Sequence, residues 1–102
     1  MLLQLTMFPT SKRGKSVSSD VARVIDIIDR SGLPYKTNAM STVIEGEWTS
    51  LMRLINKCRL SLRRNHDRIY INITIDDHRG AKKRLTGKTA SIEHKLGREV
   101  SK

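Results

Sequence analysis

Ile69, Ile71, Ile73 and Ile75 alternate with Tyr70, Asn72, Thr74 and Asp76. Strict period two over the stretch Arg68 to Asp77 is the repeat of a β-strand with two unlike faces, one apolar and one polar. The isoleucine face needs a cover, and two helical patterns elsewhere in the chain can supply it. Val17, Val21, Val24, Ile25 and Ile28 recur at the spacing of one helical face, with Asp20, Arg23, Asp26, Asp29 and Arg30 on the others. Ser31-Gly32 followed by Pro34 ends that helix, glycine for a left-handed cap and proline because it cannot continue the helix. Trp48, Leu51, Met52, Ile55, Cys58 and Leu62 form the second stripe, which starts at Glu47 or Trp48 and breaks at Asn65-His66-Asp67. The spacing therefore predicts a sheet with both helices on its isoleucine side.

Three further strands complete the sheet. Leu3, Leu5 and Met7 alternate with Gln4, Thr6 and Phe8, and Pro9 closes the run because it donates nothing to a ladder. Tyr35 to Met40 reads as extended. Thr42-Val43-Ile44-Glu45-Gly46 reads as a short strand, its β-branched pair suited to a pleated surface and its glycine to the change of direction before the second helix. Glu45 is the odd residue there, since a carboxylate in so short a strand must be solvated or paired. Beyond the isoleucine strand, Ala81-Lys82-Lys83-Arg84-Leu85 reads as a basic loop. Thr86 caps a last helix carrying Lys88, Ile92, Leu96 and Val100, and residues 97–102 are expected to fray. The order β, α, β, β, α, β with a short extra C-terminal helix, under the right-handed crossover rule, gives the α+β ferredoxin-like sandwich with a four-stranded antiparallel sheet.

The chain of 102 residues fits a single domain over 1–102, with one core. Its formal net charge of +10 comes from Lys and Arg distributed along the chain, and raises the local concentration of polyanions. The single cysteine, Cys58, rules out an internal disulfide and suits a reducing compartment, hence a cytoplasmic protein. Met1 to Phe8 is apolar but lacks the charged flank of a signal peptide and the length of a membrane span, so no membrane partner is expected.

Chemistry-bearing clusters are few. Thr10 to Ser16 offers a glycine, hydroxyls and three basic residues, without the spacing of a nucleotide-binding loop. Ser16 or Ser18 can cap the first helix, and His66, near the end of the second, reads as a cation at a helix terminus. Asp76-Asp77-His78-Arg79 packs carboxylates and an imidazole together. Neighbouring strand residues point to opposite faces, so the pair does not share a site, and no metal-ligand spacing follows. No nucleophile with a base, and hence no enzyme, is legible.

Four places carry a family resemblance: Pro9 with Ser16-Val17-Ser18 and Val21-Ala22; Met40-Ser41-Thr42-Val43-Ile44-Glu45-Gly46; Ile73-Thr74-Ile75-Asp76-Asp77-His78-Arg79; and Lys88. Their order and spacing resemble the small thiamine-binding-like family, single-domain ferredoxin-like proteins similar to each half of a two-domain binder of thiamine and hydroxymethylpyrimidine. The chain departs from the pattern at Ser41, where glycine is usual, and at Gly80, where an acidic residue often follows the arginine. The resemblance implies a non-enzymatic cytoplasmic protein without a cofactor, dimers that associate into tetramers, and a pocket for thiamine or its pyrimidine near subunit contacts. An aminopyrimidine needs a carboxylate, an amide and hydroxyls around a flat slot, for which Thr6, Asn38, Thr42, Glu45 and Asn72 are candidates, with Ser18 at the helix start. A cationic thiazolium needs a carboxylate or an aromatic face, for which Glu45, Asp76, Tyr70 and Trp48 are available. Alternatively, Thr42 and Glu45 only satisfy the hairpin and the next helix's amino end.

Two other classes compete. A nucleic-acid-binding module fits the fold and the charge, but with four aromatic residues and Phe8 only at the end of its strand a base-stacking platform is lacking, so such binding would be salt-sensitive and unspecific. An assembly protein without a ligand would use an exposed strand edge and the polar sheet face for self-association.

Overall fold

In a computed structural model that describes residues 1–10, 18–38 and 40–79, the chain runs β1 (Leu2–Pro9), α1 (Ser18–Arg30), β2 (Tyr35–Thr37), β3 (Thr42–Glu45), α2 (Trp48–Arg63) and β4 (Ile69–Asp76). The strands form one antiparallel sheet in the order β2-β3-β1-β4, the ferredoxin-like arrangement expected from the element order. The expected C-terminal helix, with Lys88, Ile92, Leu96 and Val100, lies outside the described residues.

Strand β1 is the central element. It pairs with β4 along its whole length, from Leu2 opposite Asp76 to Pro9 opposite Ile69, but with β3 only from Leu2 opposite Glu45 to Leu5 opposite Thr42. Directly opposed residues share a face, so Leu3, Leu5 and Met7 stand with Ile71, Ile73, Ile75, Thr42 and Ile44 on one side of the sheet. That side meets α1 through Val24 and Ile28 and α2 through Leu51, Leu54, Ile55, Cys58 and Leu62, all buried. The isoleucine row of β4 is only half covered, and Ile73 is 37% exposed, because β4 is the sheet edge and the helices lie mainly over β1.

Local chemistry accounts for the helix ends. Gly32 holds φ of +81° beyond α1, the left-handed conformation in which a side chain would be strained. Ser31 Oγ donates to the carbonyl of Ile28 at 2.6 Å. Glu47 precedes α2 in an extended conformation without capping it through its side chain. His66 does more than sit at a helix terminus: its Nε2 lies 3.3 Å from Oδ1 of the buried Asp20, which Arg23 Nη2 also contacts at 2.7 Å. Arg23 Nη1 donates to the carbonyl of Ser61, so this cluster ties the first turn of α1 to the end of α2.

Two measurements follow from this core. Leu3 has no exposure, and Leu3→Ala should lower the unfolding free energy by about 2–5 kcal/mol in urea titrations. Burial pushes the Cys58 thiol up from its ordinary 9.0 to about 11, against a smaller opposing effect of Lys57. The unfolded chain ionises this thiol first, so its share of stability declines as pH rises from about 9 to about 11; the decline should be shallower in Cys58→Ala, measured by denaturant unfolding across that range.

Candidate functional site

The short β3 leaves the last residues of β1 without a neighbour on that side within the β1–β3 ladder, and a cleft of about 440 Å³ opens there. Leu5, Thr6, Met7 and Phe8 of β1 form its floor, Val21, Val24, Ile25 and Ile28 of α1 one wall, and Thr37, Asn38, Met40, Ser41 and Thr42 of the β2–β3 hairpin the other. The volume falls in the usual range for small-molecule sites. An apolar slot with hydroxyls and an amide on one rim suits a flat molecule that presents polar atoms along one edge.

The hairpin rim is held in place by its own polar groups. Asn38 Oδ1 accepts from the backbone N–H groups of Met40 and Ser41, each at 2.9 Å, and the Asn38 N–H donates to the Ser41 carbonyl at 2.9 Å. That is an Asx turn closed by a backbone bond, and it leaves the side-chain amide NH2 of Asn38 as the donor end. Across the gap, Thr6 Oγ1 donates to the Met40 carbonyl at 3.2 Å and Gln4 Nε2 to Ser41 Oγ at 3.0 Å, so β1 anchors the loop. Thr42, which is buried, shares a short hydrogen bond with Thr37 Oγ1 inside the hairpin.

Of the nine residues singled out in the sequence, the cleft gathers three: Thr6, Asn38 and Thr42. Tyr70, Asn72 and Asp76 of β4 and Glu45 of β3 lie on the open face of the sheet, which Thr6, opposite Asn72, also shares, so Thr6 meets the cleft only at the gap beside the hairpin. Thr42 and Glu45 are three residues apart in one strand, so their side chains point to opposite faces. Glu45 and Asp76 flank Leu2, four residues along β1 from Thr6, a separation of about 13 Å at strand rise. Ser18 begins α1 and is exposed outside the lining, and Trp48, 54% exposed at the start of α2, is likewise outside it. The lining among described residues contains no charged side chain. Met40, 82% exposed at the rim, and Val21, 39% exposed on α1, were not singled out for a site; the one signal in the sequence was the place of Val21 in the α1 apolar stripe.

The open face carries its own arrangement. Phe8 and Tyr70 are cross-strand partners with ring centroids 5.1 Å apart and planes tilted by 30°, and Asn72 Nδ2 reaches Tyr70 Oη at 3.4 Å. Among the described residues no three His, Cys, Asp or Glu side chains gather to hold a metal ion, and no helix is long and apolar enough to cross a membrane.

Comparison with known proteins gives a consistent family. The family model described as "Thiamine-binding protein" matches residues 3–93. A UPF0045 protein of Methanothermobacter thermautotrophicus is 30% identical over 95 residues, covering 91% of this chain and 96% of that protein. Among solved structures, a hypothetical protein of Methanocaldococcus jannaschii superposes with a TM-score of 0.80 at 24% identity, covering 89% of this chain and 93% of the other. A "putative thiamine biosynthesis/salvage protein" of Thermotoga maritima superposes with a TM-score of 0.77 at 20% identity, covering 89% and 96% respectively. At these identities the structural likenesses speak for the fold.

The rim geometry yields its own prediction. Asn38→Ala removes the acceptor of two solvent-exposed backbone N–H groups, and should cost about 0.5–1.5 kcal/mol of stability and raise hydrogen-exchange rates at Met40 and Ser41.

Proposed function

This chain belongs to the thiamine-binding protein family, and from that membership we propose that it is a non-enzymatic binding protein for thiamine or its hydroxymethylpyrimidine moiety. The observation that carries this reading is the cleft between β1, α1 and the β2–β3 hairpin, with its apolar walls and one polar rim. The aminopyrimidine ring slides between Leu5 and Met7 on one side and Val21 and Ile25 on the other. Its ring nitrogens and amino group meet the Asn38 amide and the Ser41 hydroxyl at the hairpin rim. Thr42 acts through the hairpin, because its hydroxyl is engaged with Thr37. Since the described lining offers no carboxylate, the neutral pyrimidine occupies the slot and a thiazolium, where present, projects out of it.

In the same reading the open sheet face is where a second copy packs. Phe8 and Tyr70 supply an apolar centre and Gln4, Asn72 and Thr74 a hydrogen-bonding surround, giving dimers that associate further into tetramers.

Calorimetric titration tests the ligand. Hydroxymethylpyrimidine and thiamine should give saturable heats with the wild-type chain. Val21→Trp, which fills the cleft mouth from an exposed position, should weaken binding by at least about tenfold while thermal unfolding stays near wild type. Absence of heat for both compounds at millimolar concentration, or unchanged binding in Val21→Trp, would overturn the proposal.

A further inference from the structure

Between Trp48 and Asn65 the chain carries Arg53, Lys57, Arg59, Arg63 and Arg64 and not one Asp or Glu. At 100° per residue, Arg53, Lys57, Leu60 and Arg64 fall in a single row on α2, opposite the buried row of Leu51, Ile55, Cys58 and Leu62. All four members of the row are exposed, and Arg64 keeps helical angles of φ −56° and ψ −36°, so the row runs to the helix end. Arg63 and Arg64 are accounted for by the negative end of the helix dipole. Arg53 and Lys57 are not: they lie mid-helix, one turn apart, where like charges destabilise a helix. The ion pairs at Asp20 and Asp26 involve Arg23, His66 and Arg30, none of them on this row, and Arg59 turns its guanidinium to Asn56.

We propose that this row is a docking surface for duplex nucleic acid, engaged through the phosphate backbone and without base reading. The surface is separate from the cleft, and the proposal stands apart from the ligand reading. The row is straight and rigid, about 16 Å from Arg53 to Arg64 at the rise of an α-helix. A duplex presents a negative charge about every 1.7 Å of its axis, so phosphates are available to each cation along that length. A lipid surface fits less well, because an interfacial helix inserts its apolar face and that of α2 is committed to the core. Single strands fit less well too, because the row offers no aromatic ring for stacking. The net charge of +10 adds long-range attraction without selecting this face.

Fluorescence anisotropy with a short labelled DNA duplex over a salt series tests the assignment on the full chain. The wild type should bind at low salt with a steep negative slope of log affinity against log salt. A triple variant, Arg53→Gln with Lys57→Gln and Arg64→Gln, should lose about two to three units of that slope, at ~0.9 per phosphate contact. A comparator with equal charge removed elsewhere, Arg30→Gln with Lys36→Gln and Arg79→Gln, should keep the slope within about one unit of wild type, the scale of a single contact. Circular-dichroism melts establish that both variants fold, which the exposure of all six positions favours. No binding by the wild type at low salt, equal loss in the two variants, or tighter row-dependent binding to phosphatidylserine vesicles than to the duplex would each overturn the proposal.

Discussion

The antiparallel pairing of β1, eight residues along β4 and four along β3, fixes most of what this molecule can do. Two ladders make β1 the strand whose backbone groups are satisfied on both sides over Leu2–Leu5, and its apolar face brings Leu3, Leu5 and Met7 to the centre of the core. Once the strand outlasts its partner, Thr6 to Pro9 run beside the hairpin loop instead of beside a strand. Space under α1 is then bounded by side chains rather than filled by a ladder. The cleft is thus a consequence of unequal strand lengths, and its polar rim is the loop that has to cross the gap.

This same geometry decides which polar residues can act together. Period two assigns Thr42 to the helix side and Glu45 to the open side, whatever the two residues might otherwise recognise. The same alternation that separates Asp76 from Asp77 keeps Thr42 and Glu45 from lining one slot. Strand alternation, helix stripes and the Gly32 stop are local properties, so the elements and the ferredoxin-like order could be read from the residues alone. Whether β3 begins opposite Leu5 or opposite Met7 is a matter of register, set by the turn at Asn38–Ser41 and the depth of Ile44 in the core. No single stretch announces it, and so the lining contributed by Met40, Ser41 and Val21 was not legible in advance.

His66 and Asp20 make the same point for charge. Read in sequence, Asp20 stands on a polar face of the first helix and His66 is a cation at the end of the second. In the fold they lie 3.3 Å apart, because α1 begins where α2 finishes. A buried carboxylate that would be costly alone is supplied with Arg23 and an imidazole, and the two helices are fixed to each other at that end of the layer. The polar contact and the apolar seam beneath it serve one purpose, holding α1 at the distance from β1 that leaves the cleft open at Val21 and closed at Ile28.

Charge also separates the surfaces. The described residues carry ten Lys and Arg against eight Asp and Glu, so eight units of the +10 excess belong to residues 11–17 and 80–102. Overall basicity therefore says little about the described fold, and a polyanion attracted by it alone would have no preferred face. Segregation within the fold is more informative than the total. Two of the three acidic residues of α1, Asp20 and Asp26, are paired with cations of the same helix and the third, Asp29, accepts from the Tyr35 hydroxyl, whereas α2 has no carboxylate to balance its own cations. A row of cations with no carboxylate partner among the described residues, on the solvent side of a helix whose other side is committed to the core, is free to evolve under the demands of a partner. The cleft, lined from β1, α1 and the hairpin, need not change when it does.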